Sequence, residues 1–183
     1  MADSEARKKA MQAVQTFLDV YRGLMKENDF KGYDRQLMHD LRLIDAEPTG
    51  GALWEMDVTE HWVNMNGVMH GGAYAVIFDM CTAIAMNPIA RDGYWEFLAG
   101  VTRSLNISYL RAIPIGTTVR IRANVLQHGK TMTLLRGVME SVDGKTIYAT
   151  AEHHKVAVDA KPQHANRLRN YRAQMQNEPS GKL

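Results

Sequence analysis

The sequence predicts an α+β fold, one long antiparallel sheet wrapped around a single apolar helix, with a helical extension in front of it. Three observations predict it. Ala73 to Met86 (AYAVIFDMCTAIAM) is apolar on every side apart from Thr82 and Asp79, and a helix apolar all round belongs in a core. Four strand-like runs follow it in succession. The cleanest, Thr117 to Gln127, alternates Val119, Ile121, Ala123 and Val125 with Arg120, Arg122 and Asn124, the period of a strand with one buried face. In residues 5–26, Met11, Val14, Phe17, Leu18, Tyr21, Leu24 and Met25 recur at spacings of three and four, which is an amphipathic helix.

In chain order, residues 1–34 form the helical extension. Asp3 or Ser4 caps its helix, Arg7 spoils a capping box, and Asn28 to Asp34 is a polar linker. The extension is expected to pack on the outside of the main domain or on a partner chain. The main domain spans residues 35–158. It opens with a hairpin, Leu41 to Glu47 and Ala52 to Val58, turned at Thr49-Gly50-Gly51. His61 to Met69 is a loop feeding the apolar helix, which Asn87-Pro88 ends. Ile89 to Glu96 connects to the four strands, Phe97 to Leu110, Thr117 to Gln127, Lys130 to Ser141 and Lys145 to Val158. His128-Gly129 and Asp143-Gly144 are hairpin turns. Residues 159–183 form a polar, solvated tail carrying Lys161, Arg167, Arg169 and Arg172.

The 183 residues suit one domain with appendages, and 45% hydrophobic with 23% charged residues is the composition of a soluble globular protein. A lone cysteine, Cys81, rules out an intrachain disulfide framework and points to a reducing compartment, cytoplasmic or alternatively mitochondrial. A net charge of +2 is too small for a nucleic-acid binder and suits an anionic small ligand. The apolar helix is shorter than the roughly 18–20 residues of a membrane span. No zinc spacing, P-loop or dinucleotide fingerprint is present. His153 and His154 sit on adjacent strand positions, face opposite ways and make a poor metal pair. Cys81 reads as a core thiol and the 12 methionines as core filling or a pliable acyl tunnel.

The chemistry concentrates in Gly67 to Met86. His70-Gly71-Gly72 turns into the helix and leaves backbone amides at its positive end, where an anion or a developing oxyanion is stabilised. Asp79 is a carboxylate on a buried helix, costly unless paired or facing a polar cavity. Gly71 and Asp79 lie about 12 Å apart at 1.5 Å rise per residue, too far for one carbonyl. Either they do separate jobs, or two helices run antiparallel across a dimer axis, so that Gly71 of one chain faces Asp79 of the other. The dimer uses both features at once and is favoured. Asn64 is either a turn former or a positioning amide. Asp79, read blandly, is a buried acid satisfied by neighbouring backbone or by a hydroxyl.

The motif Asn64-x5-His70-Gly71-Gly72-x6-Asp79, with Val101 to Leu110 and the turn Gln127 to Thr131, resembles the HGG subgroup of hotdog-fold acyl-CoA thioesterases, over residues 36–157. The resemblance implies the hotdog fold and hydrolysis of an acyl-CoA thioester to acid and coenzyme A. It implies no cofactor apart from coenzyme A as part of the substrate, a homodimer whose two sheets join edge to edge, and often a dimer of dimers. It implies catalytic roles for Asp79 (base or nucleophile), the Gly71 amide (oxyanion donor), Asn64 (positioning amide) and Thr102, where relatives have a serine. His70 and Gly72 belong to the motif. Coenzyme A contacts fall on Tyr109, Arg111, Gln127, His128, Gly129, Lys130 and Lys155. A non-catalytic acyl-CoA-binding module is the alternative from another class, and a hotdog dehydratase a second enzymatic one.

Overall fold

A computed structural model describes residues 2–96, 100–159, 166, 169, 170 and 173. The elements are α1 (Ala2–Glu27), α2 (Asp34–Asp40), β1 (Arg42–Glu47), β2 (Gly51–Asp57), a 3-10 turn (Glu60–Trp62), α3 (Gly71–Ile84), β3 (Val101–Tyr109), β4 (Thr118–His128), β5 (Met132–Ser141) and β6 (Ile147–Val156). The strands form one antiparallel sheet in the order β1-β2-β4-β5-β6-β3. The run expected at Phe97 to Leu110 is therefore an edge strand beside β6, not a neighbour of β4. Alternation tells which face a residue takes and says nothing about which strand lies next to it.

One face of the sheet carries α3. Ile77, Phe78, Cys81 and Ile84 are fully buried there with Trp54, Met56, Ile121, Ala123 and Met139. Gly137 on β5 is where helix and sheet come closest, since a Cβ there would lie 2.5 Å from the Phe78 ring. The helix is not covered all round, as the sequence led us to expect. Gly71, Gly72, Ala75, Val76 and Asp79 form a stripe at helical spacing that stays exposed or half-exposed.

The extension joins the same core. Val14, Phe17 and Leu18 of α1 are buried in the cluster that holds α3, and Arg7 pairs with Asp45 on β1. Helix α2 begins at Asp34, the last residue of the predicted linker. It has no side-chain cap and buries only Leu37 and Met38. The Arg22 guanidinium holds its C-terminal end by donating to Met38 O (2.8 Å) and Leu41 O (3.2 Å). In the tail, Arg169 pairs with Glu96 at 2.9 Å. Lys161, Arg167 and Arg172, and the start of the predicted strand at Phe97, lie outside the described residues.

Candidate active site

The first half of the site is the N-terminus of α3. His70 has extended backbone, and its Nδ1 accepts the Gly72 N–H at 2.9 Å, which makes it the N-cap. This corrects the expectation that both glycine amides are open. The His70 ring takes Gly72, while Gly71 N–H has no acceptor among the described residues. The Gly72 amide is therefore engaged by the His70 ring, whereas Gly71 presents a donor on an exposed helix end. His70 N–H in turn donates to Trp62 O at 2.8 Å, fixing the entry to the helix. Tyr109 reaches over from the end of β3 and donates its hydroxyl to Gly71 O at 3.1 Å. Asn64 accepts the Asn66 N–H on its side-chain oxygen at 2.9 Å. It is thus a turn former as well, and its side-chain N–H groups have no acceptor among the described residues.

The second half surrounds Asp79, whose side chain is 37% exposed. Thr102 on β3 donates to Asp79 Oδ1 at 2.5 Å and lies 2.9 Å from His153 Nε2. His153 Nε2 is itself 3.4 Å from Asp79 Oδ1. On the far side of the ring, Nδ1 meets Thr82 Oγ1 at 2.6 Å, and Thr82 also contacts Phe78 O at 2.6 Å. His153 is fully buried. Burial, with the Lys155 charge second, pushes its pKa down to about 4 against the opposing pull of Asp79. The ring is therefore neutral near pH 7. The chain Phe78 O, Thr82, His153, Thr102, Asp79 has four contacts. The two hydroxyls and one neutral imidazole supply only three protons. With the Thr82 proton on Phe78 O, the Thr102 hydroxyl stands between two acceptors, His153 Nε2 and Asp79 Oδ1.

Sequence reasoning missed His153. The signal was present: His153 shares the buried face of β6 with Ala149 and Ala151, and a buried imidazole needs partners. The structure also corrects Lys155 as a coenzyme A contact. It is 3% exposed on that same face. Burial lowers its pKa, and the Asp79 charge opposes that shift. A buried ammonium held near a carboxylate is not free to meet a phosphate in solvent.

The remaining predicted residues fall into two groups at opposite ends of the sheet. Thr102 pairs with Lys155, which pairs with Thr133, which pairs with His128, so Asp79 and the turn Gln127 to Lys130 share one end. In that turn, His128 Nδ1 lies 2.5 Å from Tyr94 Oη, and Gly129 O accepts the Trp95 indole N–H at 2.8 Å. Tyr109 pairs with Ala149, which pairs with Met139, which pairs with Ile121. That is the other end, with Gly71 and the exposed Arg111. Within one chain the oxyanion donor and the acid do not meet.

Residues 66–148 match the thioesterase superfamily model. That segment is similar to the thioesterase superfamily. Human acyl-coenzyme A thioesterase 13 is similar, with 29% identity over 118 residues, covering 64% of this chain and 77% of that protein. The crystal structure of zebrafish thioesterase superfamily member 2 superposes with a TM-score of 0.63 at 26% identity, covering 76% of this chain and 96% of that one. The Escherichia coli PaaI protein from the phenylacetic acid degradation operon has the same hotdog fold, at a TM-score of 0.59 and 19% identity over 78% of this chain and 95% of that one. The matched segment includes the helix-terminal glycines, Asp79 and Thr102. The long helix α1 lies outside the matched segment.

Proposed function

We propose that the protein hydrolyses acyl-CoA thioesters at two equivalent sites, each shared between the chains of a homodimer. One observation supports this reading: Gly71 and Asp79 lie at opposite ends of β3, a strand with one free edge. Pairing two such edges about a two-fold axis brings each end against the other's complement. The unpaired edge of this nine-residue strand, with Val101, Tyr109 and Leu110 more than half exposed beside it, needs such a partner. The similarity to human acyl-coenzyme A thioesterase 13 supports the substrate class.

The steps follow from the two halves. The thioester oxygen accepts the Gly71 N–H of one chain at the positive end of α3, with Asn64 as a second donor. Asp79 of the other chain, its Oδ1 held by Thr102, takes a proton from water as the water oxygen attacks the thioester carbon. The tetrahedral intermediate collapses, the C–S bond breaks, and the coenzyme A sulfur leaves as a thiolate that is then protonated. In the alternative order, Asp79 attacks first and water cleaves the anhydride. A single turnover in 18O-labelled water separates the two, because only the anhydride route can place label in the Asp79 carboxylate. Tyr109 and Arg111 of one chain and Gln127, His128, Gly129 and Lys130 of the other are the proposed coenzyme A contacts. Coenzyme A enters as part of the substrate and no separate cofactor takes part.

The deciding experiment is thiol release from a panel of acyl- and aryl-CoA thioesters by the native protein and by Asp79→Asn. Turnover by the native protein that Asp79→Asn abolishes supports the reading. Saturable binding without turnover of any panel member establishes the non-catalytic module instead.

A further inference from the structure

Away from the proposed site, a hollow of about 550 Å³ opens between α1, the linker and α2. That lies within the roughly 300–1,000 Å³ typical of small-molecule sites. Its walls are built, not accidental. Asp29 adopts a left-handed backbone (φ 45°), and the next amide, Phe30 N–H, folds back to Met25 O at 2.9 Å. The Phe30 ring then lies over Gly32, where a Cβ would fall 2.4 Å from it. Phe30 and Met25 form an apolar wall with the buried Met38 behind them.

The charge of the hollow is one-sided. Arg22, Lys26 and Arg35 line it, and the carboxylate on its wall, Asp29, sits 2.9 Å from Lys31. Elsewhere on this surface arginines face carboxylates: Arg42 with Asp57, Arg120 with Glu55, Arg122 with Glu140, Arg136 with Glu152. Lys26 and Arg35 have no carboxylate partner among the described residues. Arg22 is pinned at the back by two backbone carbonyls, so its charge is fixed in place. An apolar wall beside unpaired cations selects a ligand with both an apolar body and an anionic head. A small, strongly hydrated anion would leave the wall unused.

We propose that this hollow binds an amphipathic monocarboxylate, its carboxylate between Lys26 and Arg35 and its acyl body against Phe30 and Met25. The proposal does not depend on the thioesterase reading, because none of the residues lining the hollow belongs to the proposed site. The test is calorimetric titration of the full chain with decanoate below its micellar concentration, for the native protein and for the double variant Lys26→Gln, Arg35→Gln. Both side chains are exposed, and an unchanged melting temperature shows that the variant folds. The expected result is the loss of one binding equivalent per chain, or a weakening of that equivalent by about tenfold or more, the scale of losing hydrogen bonds to a charged head. Inorganic phosphate at equal concentration should not displace decanoate from the native protein. An isotherm unchanged by the double substitution overturns the proposal, as does equal binding of phosphate, which would mark a simple anion patch. Replacing Phe30 with Ser should weaken decanoate and leave its headgroup analogue, acetate, unaffected; equal loss of both also overturns it.

Discussion

At the scale of single residues, the candidate chemistry depends on what surrounds one carboxylate. Asp79→Asn keeps the shape of the side chain and removes the base. A fall in kcat of about 10²–10⁴ is expected, the size typical of a lost general base, with an unchanged melting profile. Wild-type turnover in this variant would remove Asp79 from the mechanism. His153 makes a separate prediction about pH. Its folded pKa of about 4 lies below its ordinary value of 6.5, so between those values the unfolded chain binds the extra proton. Stability held above pH 6.5 is therefore lost as pH falls toward 4. Melting temperatures of the native protein and His153→Gln across this window should show a shallower slope in the variant, and parallel slopes would contradict the assignment. Asp79, Gly71 and Thr102 were legible in the sequence because a lone acid on an apolar helix, a glycine at a helix start and a family motif are local signals. The contact between Thr102 and His153 was not, since it joins positions 51 residues apart through a pairing of β3 with β6 that no local pattern encodes.

At the scale of elements, two packing contacts can be tested. Gly137 lets β5 approach α3, and the atom a new Cβ would meet is in the Phe78 ring rather than a flexible chain end. Gly137→Ala should destabilise by about 1–3 kcal/mol, the usual cost of overpacking a filled core, read from urea unfolding. An unchanged midpoint would mean that α3 shifts freely on the sheet. Phe17 is fully buried in the cluster shared with α3. Phe17→Ala should cost about 3–5 kcal/mol, as large aromatic truncations in cores do, whereas a detachable extension would leave the domain's stability intact. The long helices and the hairpins could be read from periodicity and turn residues. The short helix α2 could not, because seven residues with two buried side chains give too brief a pattern, and Arg22 from another helix secures its end.

For the whole molecule, the shared-site proposal makes an arithmetic prediction. Asp79→Asn damages one half of each site and Asn64→Ala the other. Once each variant is shown to be inactive alone, the two are mixed by denaturation and refolding. With random association, half of the dimers are mixed, and each mixed dimer carries one site with both defects and one with neither. Activity should return to about a quarter of the native value, from a two-fold contact that sets residue i of one chain against residue j of its partner. No recovery, with mixed dimers verified by mass, would place the whole site within one chain. The overall class was legible because one apolar helix and a run of alternating strands admit few layer arrangements. The strand order was not, and it is the order that leaves β3 at the edge.

That free edge also has a thermodynamic consequence. In the proposed dimer, a ligand held by Gly71 of one chain and Asp79 of the other binds the assembled pair and neither chain alone. Substrate and partner then act as ligands of one another, and by linkage each tightens the other's binding by the same factor. Dilution should lower activity per chain, and a non-hydrolysable substrate analogue should restore association at protein concentrations where the chains otherwise separate.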